Sequence, residues 1–112
     1  MKKIECVVRP MRLHAVKTAL AEAGITGMTV TDVRGTGRGG GVADTLGGMA
    51  YVAALPPKVK IEIVASDDDV ETVIHLVLEH ARTGEPGDGK IFVLPAHDAL
   101  RIRTGDTGEA VL

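Results

Sequence analysis

The chain has 112 residues, enough for one domain spanning 1–112 and too few for a multidomain enzyme. Hydrophobic residues make up 45% and charged residues 25%, a balance that excludes global disorder. The formal net charge of −2, with Tyr51 and Phe92 as the sole aromatics, argues against a nucleic-acid surface built on basic patches and stacked bases.

Residues 2–9 alternate, with Ile4, Cys6 and Val8 on one side and Lys3, Glu5 and Val7 on the other, which predicts a strand. Pro10 suits a helix start. From 11 to 23, Leu13, Val16, Leu20 and Ala23 share one helical face, and Gly24 can stop the helix. Residues 25–34 are rich in β-branched side chains and predict a second strand. The character then changes. Seven glycines fall between positions 35 and 48 and no period holds, so residues 35–55 are expected to form one long structureless loop. Loops of that length in compact domains are usually functional.

Pro56 and Pro57 close the loop. Val59, Ile61 and Ile63 alternate with Lys58, Lys60 and Glu62 in a third strand. Ser66 followed by Asp67, Asp68 and Asp69 predicts a capped helix start with negative charge at the positive end of the dipole. Val70, Val73, Ile74, Val77, Leu78 and Ala81 then mark an amphipathic helix, with Arg82 in its last turn and Gly84 just past it. A turn over 84–89 leads to a fourth strand at 90–94. Residues 96–112 form a C-terminal segment.

This order, β-α-β, loop, β-α-β, predicts an α+β ferredoxin-like fold with an antiparallel four-stranded sheet and two helices on one face. The opposite sheet face would carry Glu5, Val7, Lys60, Glu62, Phe92 and Leu94. Such a mixed surface suits a subunit interface in which the charges pair. Cys6 is the single cysteine, so no intrachain disulfide can form and a cytoplasmic protein is expected. Glu5 and Arg9 interrupt any signal-peptide core, and the apolar run 49–57 is too short to span a bilayer, so the chain is not expected to be membrane-embedded.

Several segments carry chemistry. Taken alone, Gly87-Asp88-Gly89-Lys90 reads as a Gly-rich turn. Its other reading is a phosphate cradle, in which glycines let backbone N–H groups approach the oxygens and Lys90 adds a point charge. Arg101 and Arg103 share a face if 101–103 is extended, and could then fork onto phosphates. The run 35–41 invites a dinucleotide-fingerprint reading, but no amphipathic helix follows it. His14, His75, His80 and His97 do not form a ligand set, and no metal site is expected. No nucleophile–base–orienter set is recognisable, so a regulator is expected in preference to an enzyme; a weak nucleotide hydrolase is the alternative.

Four segments, in order, resemble the PII nitrogen-regulatory signal-transduction family. They are Ile25-Thr26-Gly27-Met28-Thr29-Val30-Thr31 before the loop and Pro57-Lys58-Val59-Lys60-Ile61-Glu62-Ile63-Val64 after it. Then come Ala81-Arg82-Thr83-Gly84 with Gly87-Asp88-Gly89-Lys90-Ile91-Phe92-Val93, and finally Arg101-Ile102-Arg103-Thr104-Gly105. The resemblance covers essentially the whole chain. It implies a homotrimer that binds ATP or ADP in clefts between subunits, with Mg²⁺ accompanying ATP. It also implies control of a regulated enzyme or membrane transporter through the loop over 35–55, the family's T-loop. By resemblance, the nucleotide is held by Gly35, Gly37 and Arg38 at the loop base, by Gly87, Asp88, Gly89 and Lys90, and by Arg101 and Arg103, while Lys58 stands at a position that contacts 2-oxoglutarate. Thr29 and Val64 would lie by adenine and ribose. Tyr51 stands at the position that some bacterial members uridylylate, without the usual flanking loop charges. Many members carry a glutamine after the arginine matched by Arg38, and it helps hold 2-oxoglutarate and Mg²⁺. Here that residue is Gly39, so 2-oxoglutarate binding is expected to be weak or lost. An adaptor that senses adenine nucleotide or another small anion for a transport system outside nitrogen assimilation is the runner-up reading.

Overall fold

The computed structural model describes residues 1–37, 42–46 and 49–112. The first strand, β1 (Lys2–Val8), leads through a turn of 3-10 helix (Pro10–Arg12) into helix α1 (Leu13–Glu22). Strand β2 (Thr29–Arg34) precedes a hairpin of β3 (Val42–Leu46) and β4 (Met49–Ala54). Strand β5 (Pro57–Ala65), a 3-10 turn (Asp67–Asp69), helix α2 (Val70–Ala81) and strand β6 (Lys90–Pro95) follow, and a last 3-10 turn (Glu109–Val111) lies near the C-terminus.

The main sheet runs β2-β5-β1-β6 with every pair antiparallel. Each βαβ unit therefore straddles a strand of the other, as the ferredoxin-like order requires. The two central strands carry the strictest alternation. Ile4, Cys6 and Val8 of β1 and Val59, Ile61, Ile63 and Ala65 of β5 are buried beneath Val16 and Leu20 of α1 and Val73, Val77 and Ala81 of α2. Burial pushes the Cys6 thiol up to about 11, so it stays protonated and packs as a small apolar group.

The amphipathic stripes are narrower than their periodicity suggests. Leu78 remains 43% exposed, and the buried residues of α2 are the Val73–Val77–Ala81 row, with Val70 and Leu76 packed partly against the core. On α1 the buried row takes Ala19 where Ala23 was expected, since Ala23 is the C-cap. That end of α1 also explains why β2 starts at Thr29, four residues later than the β-branched run predicts. Gly24, at φ +83°, accepts the left-handed turn. The Ile25 N–H bonds the Leu20 carbonyl (2.9 Å) and the Gly24 N–H bonds Ala21 (3.0 Å). Ile25 thus closes the helix and packs on the core.

Two further expectations are corrected. Ser66 does not cap α2. The Asp69 N–H that it would take bonds the Ser66 carbonyl (3.0 Å) in the tight 3-10 turn, so the hydroxyl donates to the Asp69 carboxylate (3.2 Å). Residues 35–55 are not structureless throughout: β3 and β4 pair antiparallel, with Asp44 opposite Tyr51 and Leu46 opposite Met49. The pairs form because 42–46 and 49–54 hold β-branched and apolar residues between the glycine clusters.

On the sheet face away from the helices, Lys3 bonds Glu62 (2.8 Å) and Glu5 (3.1 Å), and Lys60 bonds Glu62 (3.4 Å). The Lys3 ammonium beside it lowers the Glu62 carboxyl below its ordinary value. Phe92 and Leu94 remain 49% and 39% exposed on this face. Ile61→Ala should remove a side chain with no solvent exposure at the sheet centre. A loss of about 2–5 kcal/mol in unfolding free energy is expected, read as a shift in denaturant midpoint.

Candidate functional site

The site is built where β1 ends and the α2–β6 connection passes it. Gly84, Gly87 and Gly89 take positive φ there, at +89°, +97° and +102°. Gly89 is the most constrained, since a Cβ on it would lie 1.7 Å from the Val7 carbonyl oxygen. The loop can therefore lie against β1 only if residue 89 has no side chain.

Asp88 organises the loop from within. Its carboxylate accepts from the Thr83 N–H (2.8 Å), the Thr83 hydroxyl (2.5 Å), the Gly84 N–H (2.9 Å) and Arg9 Nε (3.0 Å). The Thr83 hydroxyl, with the two backbone N–H groups and the Arg9 guanidinium, holds this carboxyl well below the usual carboxylate range. Arg9 Nη2 also donates to the Pro86 carbonyl (2.6 Å), and Lys58 Nζ donates to the Gly87 carbonyl (2.5 Å). Lys58 is only 8% exposed.

A cleft of about 540 Å³ opens beside this loop, within the size range of small-molecule sites. Its wall includes Gly35, Thr36 and Gly37 from the base of the 35–55 segment, Lys58 and Lys60 from β5, Gly87 and Gly89 from the loop, and Lys90 and Phe92 from β6. Arg34 also lines it, and its Nη1 donates to the Leu55 carbonyl (3.3 Å) across the segment base. A backbone bond from Gly35 N–H to the Pro56 carbonyl (3.2 Å) closes the same base. Among the described residues, the wall carries the cations Arg34, Lys58, Lys60 and Lys90 and no carboxylate. Such a wall attracts anions.

Of the residues singled out from the sequence, Gly35, Gly37, Lys58, Gly87, Gly89 and Lys90 converge on this cleft. Asp88 is turned to the loop's own donors. Thr29 lies opposite Glu62 and Val64 opposite Lys3, at the far end of β5. Lys58 and Val64 are six residues apart on one strand, roughly 20 Å. Arg101 and Arg103 are not in the wall. Their segment is not extended: the Gly105 N–H bonds the Arg101 carbonyl (2.7 Å), and the Arg101 N–H bonds the Asp106 carbonyl (2.9 Å). The Asp106 carboxylate also lies 3.3 Å from the Arg101 guanidinium, so this tight turn replaces the i, i+2 face expected for the two arginines. Arg38 and Gly39 lie outside the described residues, as does the Tyr51 side chain. The sequence reading missed Arg9, Arg34 and Thr83. Arg9 is 77 residues from Pro86, and no local pattern links them. Among the described residues, no helix is long and apolar enough to cross a membrane.

The family model for the nitrogen regulatory protein P-II matches residues 1–106. A nitrogen regulatory protein P-II of Cereibacter sphaeroides is 50% identical over 109 residues, covering 97% of each chain. The P-II protein of Klebsiella oxytoca is 48% identical over the full length of both. A crystal structure of Arabidopsis thaliana PII bound to citrate superimposes with a TM-score of 0.80 at 47% identity, covering 97% of this chain and 86% of that one.

Gly89→Ala should force β1 and the loop apart, with a lower melting temperature and a weakened cleft; a wild-type melting curve would contradict the close approach. Acid should act through Asp88. Its folded-state value is depressed below the unfolded value of about 3.9, so its bonds stabilise fully above about pH 4 and are lost as pH falls through the folded value. In denaturant melts, the advantage of wild type over Asp88→Asn should shrink as pH drops below about 4.

Proposed function

The chain belongs to the P-II family of nitrogen regulatory proteins, and on that premise we propose that it is a cytoplasmic signal-transduction subunit binding ATP or ADP at the clefts of a homotrimer. It acts on a regulated enzyme or a membrane transporter through the segment 35–55. The observation that carries the nucleotide reading is the cation-lined cleft without carboxylates beside a glycine loop at positive φ. Backbone N–H groups of such a loop suit phosphate oxygens, and Lys58 and Lys90 add point charges.

The trimer reading draws support from how the remaining residues are divided. Thr29, Val64, Arg101 and Arg103 lie away from the cleft of their own chain. A nucleotide with phosphates at Lys58 would take its base and ribose contacts from the far end of a second copy's β5. Exposed Phe92 and Leu94 supply apolar area beside the paired charges of the same sheet face. Light scattering on a sizing column should give about three times the 11.7 kDa subunit mass. A monomer at micromolar concentration would overturn both the trimer and the shared site.

ATP and ADP are expected to bind at roughly micromolar strength, near −8 kcal/mol. Arg103→Ala should remove a charge-assisted contact worth about 1.5–3 kcal/mol, or about 10- to 150-fold in affinity by calorimetry. Titration of 2-oxoglutarate into protein saturated with Mg-ATP should show weak binding or none. Gly39 offers only its backbone to the octahedral shell of Mg²⁺. A low-micromolar affinity would restore ordinary 2-oxoglutarate sensing.

A second reading has its own support. The Arabidopsis relative is bound to citrate, and a wall of cations without carboxylates suits a polycarboxylate as well as a phosphate. On that reading the protein senses a small anion for a transport system. Citrate that competes with ATP for the cleft, and binds with comparable strength when ATP is absent, would favour it.

A further inference from the structure

Arg9 stands at the end of β1, behind the glycine loop. It is absent from the cleft wall, whereas Gly87 and Gly89 are part of it. Its guanidinium spans two groups of the loop, with Nε on the Asp88 carboxylate (3.0 Å) and Nη2 on the Pro86 carbonyl (2.6 Å). Its side chain fills the space behind Gly87 so closely that a Cβ there would come within 3.2 Å of Nη2.

The contact with Pro86 fixes more than one oxygen. None of the described peptide bonds is cis. In a trans peptide, the C=O and the N–H of the next residue point opposite ways. A Pro86 carbonyl held toward Arg9 therefore turns the Gly87 N–H away from Arg9. Gly87 has no side chain to hide that N–H. The Asp88 contact sets the same loop from its other end, because the carboxylate also gathers the N–H groups of Thr83 and Gly84. Two forked bonds from one planar group fix both distance and orientation, which a single point charge cannot do.

We propose that Arg9 is a positioning residue that holds the 83–89 loop in the shape that presents the Gly87 N–H to the phosphate of a bound nucleotide, without touching the nucleotide itself. The inference rests on the nucleotide reading above. It adds a role for a residue more than 70 positions from the loop that it shapes.

The test uses the full chain, with Arg9→Ala and Arg9→Lys, and two measurements. Calorimetric titration with ATP should show about tenfold or greater loss of affinity for Arg9→Ala, as loss of charge-assisted bonds predicts. Arg9→Lys should fall between that variant and wild type, because an ammonium can hold one of the two acceptors but not both. Amide hydrogen exchange in ligand-free protein should accelerate at Thr83 and Gly84 in Arg9→Ala. Amides of Ile4 and Ile61 at the sheet centre should remain as in wild type. If Arg9→Ala fails to fold, Arg9→Lys carries the same two measurements. ATP affinity within twofold of wild type in the variant would overturn the proposal. If wild type itself does not bind ATP, the nucleotide reading fails, and exchange alone decides whether Arg9 orders the loop: unchanged Thr83 and Gly84 amides would overturn that too.

Discussion

A single carbon atom on residue 89 would lie 1.7 Å from the Val7 carbonyl oxygen, and the candidate site depends on that carbon being absent. β1 is a central strand, hydrogen-bonded to β5 on one side and β6 on the other. Its carbonyls are therefore held rigidly by the register of two neighbours, and the loop must come to the strand. Once Gly89 accepts that approach, Lys90 enters β6 opposite Val7 and the loop passes within reach of Arg9 and Lys58. The positive φ values at Gly84 and Gly87 let the connection double back without strain. A short path from α2 to β6, pinned at both ends, places backbone and lysine ammonium groups together at one wall of a cleft.

The fold was largely legible because its signals are local. Alternation in β1 and β5 and the i, i+4 row in α2 are dictated by one buried face each, and the buried residues are those that the periods select. Boundaries were less legible where a cap competed with a propensity. Ile25 is β-branched, yet the Gly24 turn uses it to close α1. Ser66 is a favoured cap residue, yet the 3-10 turn had already taken the N–H that it needed. The pairing of β3 with β4 was hidden by the glycines around it.

The site was legible in part, for a different reason. Gly87, Gly89 and Lys90 announce themselves in one short run. Arg9 and Lys58 reach the Pro86 and Gly87 carbonyls across 77 and 29 positions, and Arg9 bonds the Asp88 carboxylate as well. Backbone acceptors leave no mark in a sequence, so nothing in residues 9 or 58 alone points to residues 86 or 87. The converse holds for Arg101 and Arg103. Their spacing is a visible pattern, but its meaning depends on backbone geometry, and Gly105 with Asp106 folds the segment into a turn.

Charge placement separates the two surfaces that share the outer side of the sheet. Lys3 stands between Glu5 and Glu62, so its field is largely neutralised within the chain, and Lys60, which also lines the cleft, is partly neutralised by Glu62. Lys58, two residues before Lys60 on the same strand, is buried and donates to a neutral carbonyl. Taking an ammonium out of water is costly unless a counter-charge is near, and a carbonyl supplies only part of that compensation. Lys58 is held at the cleft wall by its bond to the Gly87 carbonyl and by the packing that leaves it only 8% exposed. On the proposed reading, an anion entering there would meet an ammonium already fixed in position by Gly87. With a net charge of −2, the protein as a whole offers anions no general attraction. On the proposed reading the attraction for an anion is local, at the place where one buried lysine and one loop of glycines meet at the end of β1.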